Sequence, residues 1–223
     1  IRDRSPSRGL GDVYKRQRWD RVDQIARENK PIPGLHFFSE SEKIWIAGSI
    51  WPHDLSILRE GVYESIQSGW KIILVPHKTD EESIQSIETN FSNQTIRYSQ
   101  LNSKTAVPVL IMDQIGYLAA LYRFAQFAYI GGGFGVGIHN ILEALIYKIP
   151  VCFGPRFHKF PEAGQSIKSG MGFVINSSRD FVKFLHSQAQ QKNEDKTHFD
   201  AYFVENLGAS TRIYDYLKEN KLV

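Results

Sequence analysis

The sequence predicts an α/β fold, an open parallel sheet of about six strands with helices on both faces. Three observations predict it. Short apolar runs of strand length alternate with segments of helical period along the 223 residues. Hydrophobic residues make up 42% and charged residues 23%, globular values that exclude wholesale disorder. Glycines cluster where one apolar run passes into a helical segment, the place where Rossmann-like domains bring backbone close to a ligand.

The elements follow in order. Residues 1–16, rich in Arg, Ser and Gly, have no hydrophobic period and are expected to be a disordered or non-native tail, with 17–223 as the folded body. Trp19–Glu28 reads as a helix closed by Asn29, Lys30 and Pro31. Lys43–Ala47 is an apolar strand ending at Gly48-Ser49. Asp54–Ser68 has apolar residues at 55, 58, 62 and 66, a helical spacing, and Gly69 stops it. Trp70–Val75 is a buried strand ending at Pro76, and Asp80–Glu88 is a polar helix. Thr95–Tyr98 and Val107–Ile111 are strands, and Ile115–Phe124 is helical. Phe127–Ile130 is a strand that runs into Gly131–Gly137. A helix over His139–Tyr147, a strand over Val151–Phe153, a helix over Pro161–Ser169 and a short strand over Gly172–Ile175 come next. Helices over 178–190 and 197–219 close the chain.

Strands separated by helices of this length imply right-handed crossovers and a parallel sheet. Such a sheet binds its ligand beyond the carboxyl ends of its strands. The segments to search are therefore Gly48-Ser49, Pro76-His77, Met112-Asp113, Gly131–Gly137 and Gly154-Pro155.

Composition removes several function classes. The net charge is +3, from 27 basic and 24 acidic residues. Residues 1–16 hold five of the basic and two of the acidic ones, which leaves the body neutral and without an electrostatic footprint for nucleic acid. The single cysteine, Cys152, forms no internal disulfide and excludes a Cys-rich zinc module. No apolar run approaches the ~20 residues of a membrane span. Ala119–Ile130 comes nearest and is broken by Arg123 and Gln126. The N-terminus lacks the apolar core of a secretory signal.

The residues that could carry chemistry gather around the glycine run. Five of the seven residues Gly131–Gly137 are glycine, and the run fits neither the dinucleotide fingerprint nor a P-loop. Backbone N–H groups there, with the following helix N-terminus, suit a phosphate. Gly135 is expected to need a positive φ or a close backbone approach. His139, Asn140 and Glu143 open the next helix. Glu143 can accept hydrogen bonds from a ribose diol, or it can close a capping box with Asn140; both readings fit. His77 can meet a phosphate or a base, or be a solvated loop histidine. Ser49 can meet a phosphate or belong to an N-cap. Asp113 reads as the cap of the Ile115 helix. The histidines are scattered with no H-x₃-H pair, so no metal site is expected.

In this order, AGS at 47–49, PH at 76–77, DxxG at 113–116, GGGFGxGIHNILEA at 131–144 and FGPxxxxFPEA at 153–163 resemble the C-terminal half of the 3-deoxy-D-manno-octulosonic acid (Kdo) transferases. Arg18–Val22 is similar to the segment where that half starts, so the resemblance runs from about residue 18 to the C-terminus. It implies the C-terminal domain of a two-domain GT-B glycosyltransferase, which moves Kdo from CMP-Kdo onto the lipid A precursor in lipopolysaccharide biosynthesis.

By the same resemblance, Gly133, Phe134, Gly135 and Gly137 wrap the CMP phosphate, with Ser49 nearby. His139 and Asn140 face the phosphate and the Kdo carboxylate. Glu143 binds the ribose hydroxyls. Pro76 and His77 match a Pro-Arg-His element, and Ile115 and Gly116 lie near the base. No cofactor and no metal are implied. The catalytic base, the lipid A site and the membrane anchor belong to the family's N-terminal domain, expected to be missing here. The chain alone should therefore be inactive, and the parent enzyme should work at the cytoplasmic face of the bacterial inner membrane. Three positions depart from the pattern: no Arg stands between Pro76 and His77, Tyr117 replaces a Glu, and Ile138 replaces a Gly. Two alternatives stay open, a GT-B domain that uses a UDP-sugar and a non-catalytic Rossmann-like binding module.

Overall fold

A computed structural model describes residues 6–35, 43–102, 107–190, 196–204 and 206–219. Its centre is a sheet of seven parallel strands in the order β3-β4-β2-β1-β5-β6-β7. The strands are β1 (Ile44–Ile50), β2 (Lys71–Pro76), β3 (Thr95–Arg97), β4 (Val109–Ile111), β5 (Phe127–Ile130), β6 (Val151–Phe153) and β7 (Gly172–Val174). They overlap the seven segments expected to be extended, one more than the overall figure of about six.

The central strands are apolar because both their faces are covered. Side chains alternate across the sheet. Ile44 and Ile46 join one core cluster, while Trp45 and Ala47 join the other. The first cluster takes Trp19 and Val22 from α1 (Pro6–Glu28), Leu121 from α4 (Leu118–Leu121), Leu142 and Leu145 from α5 (Leu142–Leu145), Ala163 from α6 (Pro161–Lys168) and Phe199 and Phe203 from α8 (Thr197–Val204). The second takes Leu55, Leu58 and Val62 from α2 (Pro52–Gln67), Ile84 and Ile87 from α3 (Glu81–Asn90), and Phe181 and Phe184 from α7 (Ser178–Gln190). Trp45 anchors that side, stacked on Phe127 at 5.5 Å and donating from Nε1 to Ser65 Oγ at 2.9 Å.

Four elements depart from expectation. Helix α1 begins at Pro6, so the backbone of residues 6–16 is helical where a tail without regular structure was expected. Proline is tolerated in a first turn, and extending an existing helix avoids the cost of nucleation. The segment 197–219 is two helices, α8 and α9 (Ala209–Glu219). Gly208, at φ +79°, stands before α9, where Asp20 Oδ1 and Oδ2 accept from the N–H groups of Gly208 and Ser210, each at 2.7 Å. The helices expected over 115–124 and 139–147 contract to the single turns α4 and α5, the former followed by a 3₁₀ turn over Tyr122–Phe124. Among the described residues, no helix is long and apolar enough to cross a membrane.

Candidate functional site

From β1 the chain winds outward through β2 to β4 and β3, then crosses back to β5 on the other side of β1. The strand order thus reverses between β1 and β5, and open sheets of this kind bind their ligands beyond the carboxyl ends at such a switch point. The loops that follow these two strands touch, with Gly131 N donating to Gly48 O at 2.8 Å. A Cβ on Gly131 would sit 2.7 Å from Ile50 Cα, and one on Gly133 would sit 2.7 Å from Gly154 Cα. Glycine is needed there because three loop backbones pack directly on one another.

The loop's N–H groups divide into two sets. Gly132 N donates to Asp54 Oδ2 at 3.0 Å, and Gly135 N and Gly137 N both donate to Gly132 O, at 2.9 and 3.1 Å. Ile138 N goes to Arg156 O and His139 N to Gly131 O, each at 3.3 Å. The N–H groups of Gly133, Phe134 and Val136 have no acceptor among the described residues. They are the donors a ligand could use. Gly135 itself has neither a positive φ nor a crowded Cβ position; the nearest atom is Gly132 O at 3.7 Å. The expected internal reason for a glycine there is absent. Gly132, at φ +89°, has one.

Helix α5 does not start at His139. Its four residues supply no long-helix macrodipole, so the attraction for an anion rests on the loop's own donors. Asn140 Oδ1 accepts from Leu142 N and from Arg18 Nη2, each at 3.2 Å, while Asn140 Nδ2 donates to Glu143 Oε1 at 3.1 Å. A capping box would place the Glu143 carboxylate on a backbone N–H instead. Glu143 is half-buried, and burial pushes its pKa up, against the Asn140 hydrogen bond and the charges of Arg18 and Arg21.

Two of the scattered histidines meet. His77 follows β2 and its N–H donates to Ile50 O at 2.9 Å. Its ring lies 4.2 Å from that of Trp51 at an interplanar angle of 20°, and 4.5 Å from that of His139. Trp51 Nε1 donates to His139 Nε2 at 3.1 Å. Both histidines are held below their ordinary pKa. Burial is the main cause for each, reinforced at His77 by Lys78 and at His139 by His77, with Asp54 pulling His139 the other way.

Trp51, not Ser49, occupies the N-cap of α2, where Trp51 N donates to Asp54 Oδ2 at 2.8 Å and Asp54 N to Trp51 O at 2.9 Å. Ser49 stands at φ +54° in the turn before it. Asp54 is buried, and its Oδ1 accepts from the Tyr129 hydroxyl at 2.7 Å. One carboxylate therefore ties the β1 loop, the glycine loop and β5 together.

Asp113 caps no helix. It accepts from the N–H and hydroxyl of Ser99, which pins the end of β4 to the turn after β3, and α4 starts only at Leu118. Ser49, His77, His139, Asn140, Glu143 and the Gly133–Gly137 loop all come to the switch point. Pro76 ends β2 opposite Ile50 of β1. Ile115, 82% exposed, and Gly116 lie at the end of β4, two strands away. Lys30 Nζ reaches Gly116 O at 3.0 Å and so ties this turn to the segment after α1.

Five residues at the site escaped the sequence reading as participants. Trp51 and Asp54 looked like the start of a helix. Arg18 and Glu162 lay in the quoted motifs without a role. Arg18 Nη1 approaches Glu162 Oε1 at 2.8 Å, an ion pair outside hydrogen-bond alignment that links α1 to α6. Arg156 Nη1 donates to Gly135 O at 2.6 Å from the loop after β6.

No family model matches the chain. It is 30% identical over 156 residues to the 3-deoxy-D-manno-octulosonic acid transferase of Aquifex aeolicus, covering 68% of this chain and 43% of that protein. It is 26% identical over 170 residues to a bifunctional glycosyltransferase/methyltransferase of Fusobacterium nucleatum, covering 74% of this chain and 26% of that protein. The chain thus spans less than half the length of these curated relatives. Among solved structures, the C-terminal CMP-Kdo binding domain of WaaA from Acinetobacter baumannii superposes with a TM-score of 0.64 at 19% identity, covering 87% of this chain and 98% of that one. Half of a trehalose-6-phosphate synthase superposes with a TM-score of 0.58 at 8% identity. The fold is that of a GT-B glycosyltransferase domain, and the resemblance to Kdo transferases carried by the ordered motifs holds in these comparisons.

Proposed function

We propose that this chain is the donor-binding domain of a glycosyltransferase that moves Kdo from CMP-Kdo onto a lipid A precursor in lipopolysaccharide biosynthesis. The observation that carries the reading is the pairing at the switch point of three uncommitted loop N–H groups with a half-buried carboxylate that no helix cap uses. A nucleoside monophosphate has the matching parts, an anion for the first and a diol for the second. Sequence relatedness to Kdo transferases supports CMP-Kdo as the donor.

In this assignment Gly133, Phe134, Gly135 and Gly137 wrap the phosphate, with Ser49 beside them. His139 and Asn140 face the phosphate and the Kdo carboxylate, and Glu143 takes the ribose hydroxyls. Pro76 and His77 close the β2 side, while Ile115 and Gly116 meet the base. An acceptor hydroxyl attacks the anomeric carbon of Kdo, and the bond to the CMP phosphate oxygen breaks. Oriented N–H groups stabilise the charge that develops on the leaving phosphate. The acceptor and the general base are supplied by a partner domain at the cytoplasmic face of the inner membrane. This chain alone binds the nucleotide without turning it over.

Calorimetric titration with CMP, UMP and AMP tests the reading. CMP should bind most tightly. Preference for UMP would move the chain to UDP-sugar enzymes, and no binding of any of the three would remove the nucleotide site.

A further inference from the structure

Trp51 makes two contacts at the switch point that the donor assignment does not use. Its ring lies against His77, and its Nε1 points at His139 Nε2 from 3.1 Å. An indole nitrogen only donates. His139 Nε2 must then be the accepting, unprotonated nitrogen, and a neutral imidazole in that state carries its proton on Nδ1. The surroundings favour the same uncharged form. The His77 ring at the end of β2 is a second potential cation 4.5 Å away, with Lys78 beside it. Asp54, in the first turn of α2, is the one group acting the other way, and its oxygens already accept from Tyr129, Trp51 and Gly132.

We infer that Trp51 is a positioning residue that fixes His139 as a neutral histidine protonated on Nδ1, so that the site meets an anion with one oriented N–H instead of an imidazolium. What that N–H meets rests on the donor-site reading. The tautomer is a property of the free protein. Protonation of Nε2 would set two donors against each other across 3.1 Å, so charging His139 requires the Trp51 bond to break. Trp51 thereby uncouples the site from proton uptake at His139 between about pH 6 and 8.

The experiment is long-range ¹H–¹⁵N correlation on the ¹⁵N-histidine-labelled full chain without ligand. Wild-type His139 should show Nδ1 protonated and Nε2 bare throughout that range. Trp51→Phe keeps a ring against His77 and the backbone N–H to Asp54, and removes only the donor. In that variant His139 should populate the Nε2–H form and titrate at higher pH. CMP affinity is then compared between variant and wild type at each pH, which cancels the titration of the ligand's own phosphate. The ratio should move in favour of the variant as pH falls through its raised His139 pKa, by at most about tenfold per unit of pKa gained. A wild-type His139 protonated on Nε2 would overturn the inference without recourse to any variant. So would an unaltered tautomer and titration in a folded Trp51→Phe. Failure of wild type to bind CMP with the Nδ1–H form intact would remove the donor reading and leave the role of Trp51 standing.

Discussion

Asn140 Nδ2 donates to Glu143 Oε1 at 3.1 Å, so the carboxylate that follows the glycine loop is held by a side chain and not by the backbone N–H of a helix cap. Its second oxygen has no hydrogen-bond partner among the described residues. Ribose recognition and capping therefore make different demands on this residue, and the geometry favours the first.

Glu143→Gln should lower CMP affinity by about ten- to hundredfold, the loss of charge-assisted hydrogen bonds worth roughly 1.5–3 kcal/mol. 2′-Deoxy-CMP is the control. Wild type should discriminate against it and the variant should do so less. Equal binding of the two nucleotides by wild type would end the ribose assignment.

The same residue gives a stability prediction of definite sign. Burial raises the pKa of Glu143 in the fold. Its contribution to stability is then fully present below the unfolded carboxyl pKa and lost as pH rises through the raised folded value. Glu143→Gln keeps the neutral shape and an acceptor for Asn140. Thermal melts should give equal stabilities near pH 4 and a variant at least as stable as wild type at pH 7. A variant less stable at pH 7 than at pH 4, relative to wild type, would show that Arg18 and Arg21 outweigh the burial.

Two glycines of the loop separate packing from ligand contact. Gly133→Ala would drive a methyl into the Gly154 backbone, which cannot yield as a flexible side chain would, and should cost about 1–3 kcal/mol by denaturant unfolding. Gly135→Val meets no such obstacle within the protein. It should leave circular dichroism nearly unchanged while abolishing CMP binding, because it adds bulk between Phe134 and Val136, whose N–H groups have no acceptor among the described residues. Unaltered affinity would make the loop a turn and nothing more.

Asp54→Ala should be among the most damaging substitutions at the site. It strands the N–H of Gly132 and the Tyr129 hydroxyl in a buried place, at about 1–3 kcal/mol for each unsatisfied group, and leaves the part-buried N–H of Trp51 without its acceptor. Asp54→Asn retains one oxygen for the two N–H groups, and Tyr129 can turn to accept from the amide. Urea unfolding should therefore rank Asn well above Ala.

The sheet was legible in the sequence because β1, β2, β4, β5 and β6 are covered on both faces. Burial of that kind writes a continuous apolar run such as Ile72–Val75, whatever the neighbours. The extent of the short helices was not legible. Apolar residues at Ile138, Ile141, Leu142 and Leu145 satisfy a helical period, yet the first two pack from the segment before α5, so burial supplied the period without the helix. The glycine run was found because tight loop packing leaves no other residue type at Gly131, Gly132 and Gly133. Its supports were hidden by distance. Trp51 and His139 are 88 residues apart and Arg18 and Asn140 are 122 apart, and no local pattern marks a hydrogen bond that only the crossover from β4 back to β5 creates.

The resemblance to Kdo transferases implies an arginine between Pro76 and His77 that this sequence lacks, and Arg156, in the loop after β6, is a candidate for the missing cation. Arg156 is exposed and its Nη1 donates to Gly135 O at 2.6 Å, which holds the guanidinium at the rim of the loop and leaves its other N–H groups free to turn toward a phosphate. The neighbouring histidines are both held toward their neutral forms, so they do little to neutralise the ligand. Arg156→Gln keeps a donor for the Gly135 carbonyl and removes the charge. It should weaken CMP by about three- to tenfold, less than a buried pair would because the site is open to water. Cytidine, which has no phosphate, should bind variant and wild type alike. Raising the salt should weaken CMP less in the variant, since one screened attraction is gone. If the variant loses cytidine and CMP affinity in equal measure, Arg156 shapes the loop and does not meet the phosphate.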